Sequence, residues 1–437
     1  MKLTRRNILT STLFGAGYVG LRALATGIPA GILLGGRKAL ADAAATCGNT
    51  AKAQYIIFHT SGQGDPINAN VPGTYDDANI AHNLNPGMEK TAMTLGGRAT
   101  FAAAPWAALP QSVLDRTSFW HMKTNTPVHP KEGDVLKLFG TTLPDEMLPS
   151  LLAKQLAPCL NTVQAQPITL GARTPSEGLS FDNRALPIIP PLALRDTLTS
   201  AAGPLTNLQQ LRDQTLGQID TIYRGGASPA QKRYLDSLVA SQSEVRNIRQ
   251  DLLGLLGSIA DNGITSQITA SLALIQMNVT PVVAIHIPFG GDNHSDKGLV
   301  TEATETISGV AAIGSLMTQL ASAGLADKVS FLSLNVFGRT IGPGNTDGRQ
   351  HNENHQVSLA IGKPWKGGII GAVGPVANDY GCLAINSQTG AGGTGGDISP
   401  AETLAAFGKT TLAAVGVDSS VIDKAITAGK VVSGALA

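Results

Sequence analysis

Four short apolar runs, each followed by a polar or glycine-rich loop, are the feature that most restricts the fold of this 437-residue chain. They span residues 53–59, 117–122, 279–289 and 329–334. In the second half a helical pattern over 303–323 separates two of these runs, so the order is strand, loop, helix and strand. That order favours parallel pairing, because parallel neighbours need a crossover connection. We therefore predict an α/β protein with a mainly parallel sheet.

Residues 192–277 have a different pattern, with apolar residues at the three- and four-residue intervals of an amphipathic helix. This spacing predicts two or three helices that cover one face of the core. We expect them to belong to a single domain that spans residues 42–437. The apolar positions are Leu205, Leu208, Leu211, Tyr234, Leu235, Leu238, Val239, Leu252, Leu253, Leu255 and Leu256.

Composition excludes some classes of partner and favours export. The net charge of +1 gives no bias toward nucleic acid or an anionic membrane, and we find no basic patch that carries aromatic residues. Charged residues make up only 14% of the chain and glycine reaches 50 residues, as in many exported proteins. The three cysteines have no Cys-x-x-Cys spacing, so at most one disulfide is expected.

The first 41 residues resemble a twin-arginine signal peptide. Arg5 and Arg6 precede a moderately apolar stretch over 8–36, and a small-x-small pattern at 39–41 offers a cleavage site before Asp42. The prediction is therefore a periplasmic or secreted protein. The alternative is a retained membrane helix, since the stretch is long enough to span about 30 Å, although Arg22 and two glycine clusters interrupt it.

Histidines and acidic residues collect near the ends of the predicted strands. In open parallel sheets the loops after the carboxyl ends of the strands share one edge, so such residues converge there. Imidazole and carboxylate together suit Zn, Mn or Fe better than Ca or Mg, which makes a divalent metal site a candidate. The histidines are His59, His121, His129, His286 and His294, and the acids are Asp65, Asp292 and Asp296.

The stretch DGRQHNENHQ at 347–356 holds two further histidines, His351 and His355. Their four-residue spacing would place both rings on one face of a helix, but no apolar period surrounds them. A metal site and a polar loop both remain open for this stretch. His59 and His286 lie inside apolar runs, where a histidine in the core is the simpler interpretation.

Six segments resemble, in order, the motifs of the bacterial family labelled domain of unknown function 1501. Many members of that family are exported by the twin-arginine route, and its core is similar to the alkaline phosphatase and sulfatase superfamily. The resemblance implies a three-layer sandwich and covers nearly all of the predicted mature chain. The matching segments are 58–72, the loop around His129, 291–294, 337–340, 348–351 and 365–371.

The resemblance also implies roles for individual residues. The superfamily binds one or two metal ions that activate an oxygen nucleophile against a phosphate or sulfate ester. By position, Arg339 would hold an anionic substrate oxygen and His129 would lie near the attacking group. The implied metal ligands are Asp65, Asp292, His294 and His351, with His355 as a further candidate.

Three departures from the family motifs reduce the expected chemistry. Val336 replaces a glutamate, Gln350 replaces an aspartate, and Val128 replaces the serine that would supply a hydroxyl, so Thr126 is the nearby candidate. We therefore expect an exported binding or envelope-associated protein with a partly degenerate metal site and a small anionic ligand or an envelope partner. The alternative is a metal-dependent hydrolase of phosphate or sulfate esters.

Overall fold

A computed structural model describes residues 49–172, 178–199, 250–289 and 291–437, and also residues 218, 221, 222, 224–229, 231 and 232. The predicted signal peptide and the predicted helical positions at 205–211 and 234–239 lie outside the described residues. In the part that is described, no helix combines the length and the apolar character that crossing a membrane requires.

A seven-stranded sheet forms the centre of the fold, and its order is β7-β2-β6-β5-β1-β4-β3. Strand β6 pairs antiparallel with both of its neighbours, whereas the other pairings are parallel. The prediction of an α/β fold with a mainly parallel sheet is therefore confirmed, with β6 as the exception. The strands are β1 (Tyr55–Ser61), β2 (Thr117–Met122), β3 (Ile168–Thr169), β4 (Val282–Ile285), β5 (Val329–Asn335), β6 (Gln356–Ile361) and β7 (Gly368–Ile370).

The helices connect and cover these strands. The long helix predicted over 303–323 is present and spans Val300–Ser322. In chain order, the described helices whose two ends are defined are α1 (Ala104–Ala107), α2 (Gln111–Leu114), α3 (Glu132–Leu136), α4 (Leu148–Leu160), α5 (Pro191–Thr199), α6 (Gln250–Gly257), α7 (Ile264–Gln276), α8 (Val300–Ser322), α9 (Thr403–Ala414) and α10 (Ser419–Ala425).

Within the described residues, four smaller antiparallel strand pairs lie outside the central sheet. One of them, Gly338–Arg339 with His351–Asn352, joins two segments that the sequence marked as candidate site regions. The others are Lys90–Leu95 with Arg98–Ala103, Ser180–Phe181 with Arg184–Ala185, and Val373–Val376 with Asp379–Cys382.

Helices pack on both faces of the central sheet. Successive strand residues point to opposite faces, and accordingly Ile57 belongs to one buried core while Ile56 and Phe58 belong to another. Residues of α1, α2 and α5–α8 line the first core, and residues of α3, α4, α9 and α10 line the second. This arrangement is consistent with a three-layer sandwich, and α5, α6 and α7, which lie in or overlap the predicted segment 192–277, contribute to the first core.

One edge of the sheet gathers the polar loops. Strands β1, β2, β4 and β5 run in the same direction, so their carboxyl ends and the loops that follow lie on one side. Strand β6 runs in the opposite direction and therefore begins at that edge. The residues before β6 thus meet the residues after the other four strands, which brings 351–355 to the same place.

Candidate metal centre

Four of the predicted site residues meet at this edge and are referred to below as the His/Asp cluster: His129, Asp292, His294 and His351. Each offers one ligand atom, and these atoms all lie within 4.8 Å of one another. The Nε2 atoms of His294 and His351 are 2.8 Å apart. The Asp292 carboxylate lies 3.3 Å from Nε2 of His294 and 3.7 Å from Nε2 of His129. The cluster could therefore hold a metal ion.

Different loops deliver these four side chains. His129 starts a short 3-10 turn that follows the loop after β2, and Asp292 and His294 lie in the loop after β4. His351 lies in the small strand pair with Gly338–Arg339 that precedes β6. The side chains of His129, Asp292 and His294 are 29%, 40% and 34% exposed, so the cluster opens to solvent.

Two backbone carbonyls orient the histidine rings. The Nδ1 atom of His129 lies 2.7 Å from the carbonyl oxygen of Gly62, and Nδ1 of His351 lies 2.5 Å from that of Pro127. A carbonyl oxygen can only accept, so Nδ1 carries a proton in both rings, and Nε2 is the atom whose lone pair binds metal when the ring is neutral. Ligating histidines in proteins are commonly held in this way. The donor set of three imidazoles and one carboxylate fits Zn or a similar transition metal.

The pKa of His351 is lowered from its ordinary value, chiefly because the ring is partly buried. The neighbouring Arg339 guanidinium and the other two rings of the cluster lower it further, while the hydrogen bond to the Pro127 carbonyl opposes them. A lowered pKa favours the neutral imidazole, which is the form that binds metal.

Arg339 adjoins the cluster and is fully buried. Its Nη2 donates to Asp292 Oδ1 at 3.1 Å, to the Gly291 carbonyl at 3.3 Å and to the Gln63 carbonyl. Among the described residues, its Nε and Nη1 atoms have no hydrogen-bond partner. Burial lowers the pKa of Arg339, and the Asp292 carboxylate opposes this shift. Arg339 thus lies where it can stabilise a negative charge beside the cluster.

Phe337 connects Arg339 to the histidines. Its ring centroid lies 4.2 Å from that of His351 and 4.9 Å from that of His129. The guanidinium carbon of Arg339 lies 5.3 Å from the same ring. Phe337 was not predicted as a site residue. Its place two positions before Arg339, a predicted site residue, is the one sequence signal that pointed to it.

Asp65, predicted as a metal ligand, lies outside the His/Asp cluster. The side chain is fully buried, and its two oxygens accept hydrogen bonds from the backbone N–H groups of Ile67 at 3.1 Å and Val357 at 2.8 Å. It caps the 3-10 turn Pro66–Ala69 and joins that turn to β6. Burial raises the pKa of Asp65 to about 7.

His355, the other predicted ligand, also lies outside the cluster, in a fully buried pair with His121. The Nε2 atom of His355 lies 2.9 Å from Nδ1 of His121, and the rings stack at 5.1 Å. Nε2 of His121 lies 2.9 Å from the Pro72 carbonyl oxygen. Nδ1 of His355 lies 3.3 Å from Nδ2 of Asn68. Burial lowers the pKa of His121 to about 4 and that of His355 well below its ordinary value.

The structure also places the proposed hydroxyl of Thr126 and two of the residues that depart from the resembled motifs, Val336 and Gln350. The Thr126 hydroxyl is largely buried and accepts a hydrogen bond of 3.3 Å from the Val128 backbone. Val336 is fully buried in the apolar core, and Gln350 is exposed. The orienting carbonyls of Gly62 and Pro127 were not predicted, because a backbone carbonyl leaves no residue-type signal.

In comparisons with known proteins, no family model matches the chain and no curated relative matches it.

Proposed function

We propose that this protein binds one divalent transition-metal ion, Zn, Mn or Fe, at the His/Asp cluster, and that it acts as an exported binding protein for a small anionic ligand. The observation that carries the proposal is the convergence of four ligand atoms within 4.8 Å of one another from three separate loops. Two of the three histidines present an oriented Nε2. Arg339 supports the choice of an anionic ligand, because its guanidinium borders the cluster.

The number of protein ligands in the cluster, and the residues near it, favour a binding site over a catalytic one. Four protein ligands resemble the closed coordination of structural and binding sites, whereas catalytic zinc sites commonly use three and keep one position open. Val336 is buried among apolar residues and Gln350 is exposed, so neither supplies a further anionic ligand. The Thr126 hydroxyl already accepts a backbone hydrogen bond.

A metal-dependent hydrolase of phosphate or sulfate esters is the second candidate, and it is favoured by the exposure of the cluster. Asp292 and His294 are 40% and 34% exposed, which leaves a route for a substrate. In such enzymes a bound metal polarises the ester and lowers the pKa of a bound water. Within this chain, Arg339 would bind an ester oxygen and Thr126 would be the nearest hydroxyl to test.

Export by the twin-arginine route, and a core similar to that of alkaline phosphatases and sulfatases, complete the proposal. Both rest on the sequence resemblance. The disulfide that includes Cys159 supports export, because disulfides persist mainly in oxidising compartments. Cys382, by contrast, is free and buried.

The test uses the full chain, produced with its signal and purified from the periplasm. Metal content is measured by plasma mass spectrometry for the wild type and for Asp292→Ala, and aryl phosphates and aryl sulfates are assayed in parallel. We expect about one metal ion per chain in the wild type, loss in the variant, and no turnover. Metal-dependent turnover would replace the binding proposal with the hydrolase, and a folded wild type that binds no metal would overturn both.

A further inference from the structure

The two loops that carry most of the His/Asp cluster are in direct backbone contact. The backbone N–H of Arg349 donates to the carbonyl of Asn293 at 3.1 Å, and Lys297 and Asp347 form an isolated antiparallel bridge. Gly348 has a φ of +107°, and a Cβ added there would lie 2.1 Å from the His294 carbonyl oxygen. The approach of the loops therefore depends on a glycine at this position.

A buried ion pair lies beneath this contact. Arg349 and Glu302 are both fully buried, and they pair through Nε to Oε2 at 2.6 Å and Nη2 to Oε1 at 3.2 Å. This is the bidentate geometry of a strong arginine–carboxylate interaction. Glu302 lies in the first turn of α8, where the helix dipole also favours a negative charge.

The ion pair touches the segments that carry Asp292, His294, His351 and Arg339, but not the segment of His129. Nδ2 of Asn293, the residue between Asp292 and His294, donates to Glu302 Oε2 at 3.1 Å. Arg349 stands two residues before His351, and its Nη1 donates to the carbonyl of Thr340, which follows Arg339, at 3.0 Å. The first loop of the sheet edge is attached as well, since Nδ2 of Asn70 donates to Glu302 Oε1 at 2.8 Å.

We propose that Glu302 and Arg349 are positioning residues for the metal site, which hold the 291–294 loop and the 347–351 segment at the separation that one ion requires. This inference rests on the proposed metal binding. A buried ion pair contributes little net stability compared with apolar residues of the same volume, but it fixes the direction of each group that it contacts. Neither residue touches the ligand atoms, so both act through Asn293 and through the backbone beside His351.

The test measures Co²⁺ binding to the full chain, by calorimetry and by the visible absorption of the bound ion. In Glu302→Gln, which keeps the shape of the side chain, we expect affinity to fall by roughly 10- to 100-fold, as for other outer contacts of metal ligands. The absorption spectrum should change as well. Arg349→Lys keeps the charge but cannot make the bidentate contact, so it should retain more affinity than Arg349→Met.

Glu146→Gln is the matched control. Glu146 is also buried, and it pairs with Lys154 and accepts from the backbone of Asp182 at 3.0 Å, with no contact to either loop of the site. Thermal unfolding of both glutamine variants measures the stability that each loses. We expect the control to lose stability while it keeps the wild-type Co²⁺ affinity and spectrum.

The outcomes separate the two proposals. A wild type that binds Co²⁺ and a Glu302→Gln variant with the same affinity and spectrum would overturn the positioning role alone. An equal loss of affinity in Glu146→Gln would also overturn it, because general destabilisation would then explain the effect. A folded wild type that binds no Co²⁺ would overturn the metal site itself, and the positioning role with it.

Discussion

Two groups of neighbouring histidines differ in what contacts each ring nitrogen: the buried pair of His121 and His355, and the three rings of the His/Asp cluster. In the buried pair of His121 and His355, every ring nitrogen contacts a protein partner. In the His/Asp cluster, backbone carbonyls engage Nδ1 of two rings, and the Nε2 atoms converge beside a carboxylate at the surface. Histidines in proximity are therefore not sufficient for a metal site, which also needs ligand atoms that converge on one point beside a carboxylate.

The two groups also differ in how far solvent reaches the rings, which affects their protonation. The pair is neutral because full burial disfavours the charged ring, and its hydrogen bonds form a chain in which each ring donates once and accepts once. In that chain His121 donates to the Pro72 carbonyl, His355 donates to His121, and Asn68 donates to His355. The cluster faces solvent, where protons and metal ions compete for the same lone pairs.

The largest expected effect separates the two groups by metal affinity. His294→Ala removes one of four ligands, so we expect Zn²⁺ affinity to fall by more than the roughly 100-fold that the strongest outer-contact changes cause. His355→Ala removes a ring outside the cluster and should leave the affinity unchanged. Calorimetric titration of both variants measures this. Equal losses would mean that the buried pair belongs to the metal site.

The second prediction concerns the stability of the same two variants, where His355→Ala should have the larger effect. His355→Ala leaves Nδ1 of His121 without a partner and opens a cavity in the interior, so we expect a loss of about 2–4 kcal/mol in the free energy of unfolding. His294→Ala, at a partly exposed ring, should lose less. Urea denaturation of the metal-free proteins gives both values. A smaller loss for His355→Ala would show that the pair adds little to the fold.

Two glycines with the same backbone conformation allow a finer comparison. Gly64 and Gly73 both have a φ of +94°, and a Cβ would lie 2.6 Å from the Phe337 ring at Gly64 but 3.0 Å from His121 Nε2 at Gly73. We expect each alanine variant to lose about 1–3 kcal/mol of stability, because the conformation is strained for alanine. Only Gly64→Ala should also weaken metal binding, since Phe337 packs against His129 and His351.

Thermal unfolding and metal titration of the two alanine variants measure both effects. Loss of metal affinity in Gly73→Ala, with Gly64→Ala unaffected, would contradict the assignment of Phe337 to the support of the cluster.

The last prediction, which needs a change of pH to appear, is a pH dependence of stability. The pKa of His121 is about 4 in the folded protein, below its ordinary value of 6.5, so the unfolded chain binds more protons between these values. Stability contributed by the neutral ring is therefore complete above about pH 6.5 and is lost as the pH falls toward about 4, with about 2 kcal/mol lost by about pH 5. His121→Gln removes this contribution.

Melting temperatures of the wild type and His121→Gln, measured from about pH 7 to about pH 5, check the prediction. The variant should keep part of the slope, because His59 is also buried and its pKa is lowered to about 3. Identical slopes in the two proteins would show that His121 already carries a proton in the fold.

Much of the fold could be predicted from sequence, and so could the members of the cluster. The alternation of apolar runs and helical spacing identified β1, β2, β4, β5 and α8, because burial requires apolar residues at the period of each element. His129, Asp292, His294 and His351 were predicted from their places after strands and from family motifs. Strand β6 and its direction were not predicted, although that direction brings His351 to the edge where the other three residues lie.

The remaining site residues show where sequence reasoning fails. Asp65 follows a strand as Asp292 does, and His355 stands four residues from His351, yet both lie outside the cluster. Asp65 accepts hydrogen bonds from two backbone N–H groups, and His355 pairs with a histidine 234 positions away. Neither partner is visible in the local pattern, because each becomes a neighbour only when the chain folds.

The sequence by itself determined the α/β class, the polar edge of the sheet and the residue types that meet there, since periodicity and strand order constrain these features locally. The tertiary structure decided which histidines present Nε2 to the surface cluster and which have both ring nitrogens in hydrogen bonds inside the core. The physical reason is that a ring nitrogen's availability depends on a single hydrogen-bond partner, often a backbone carbonyl such as that of Gly62 or Pro127. Such a partner is chosen by long-range packing and not by residue type.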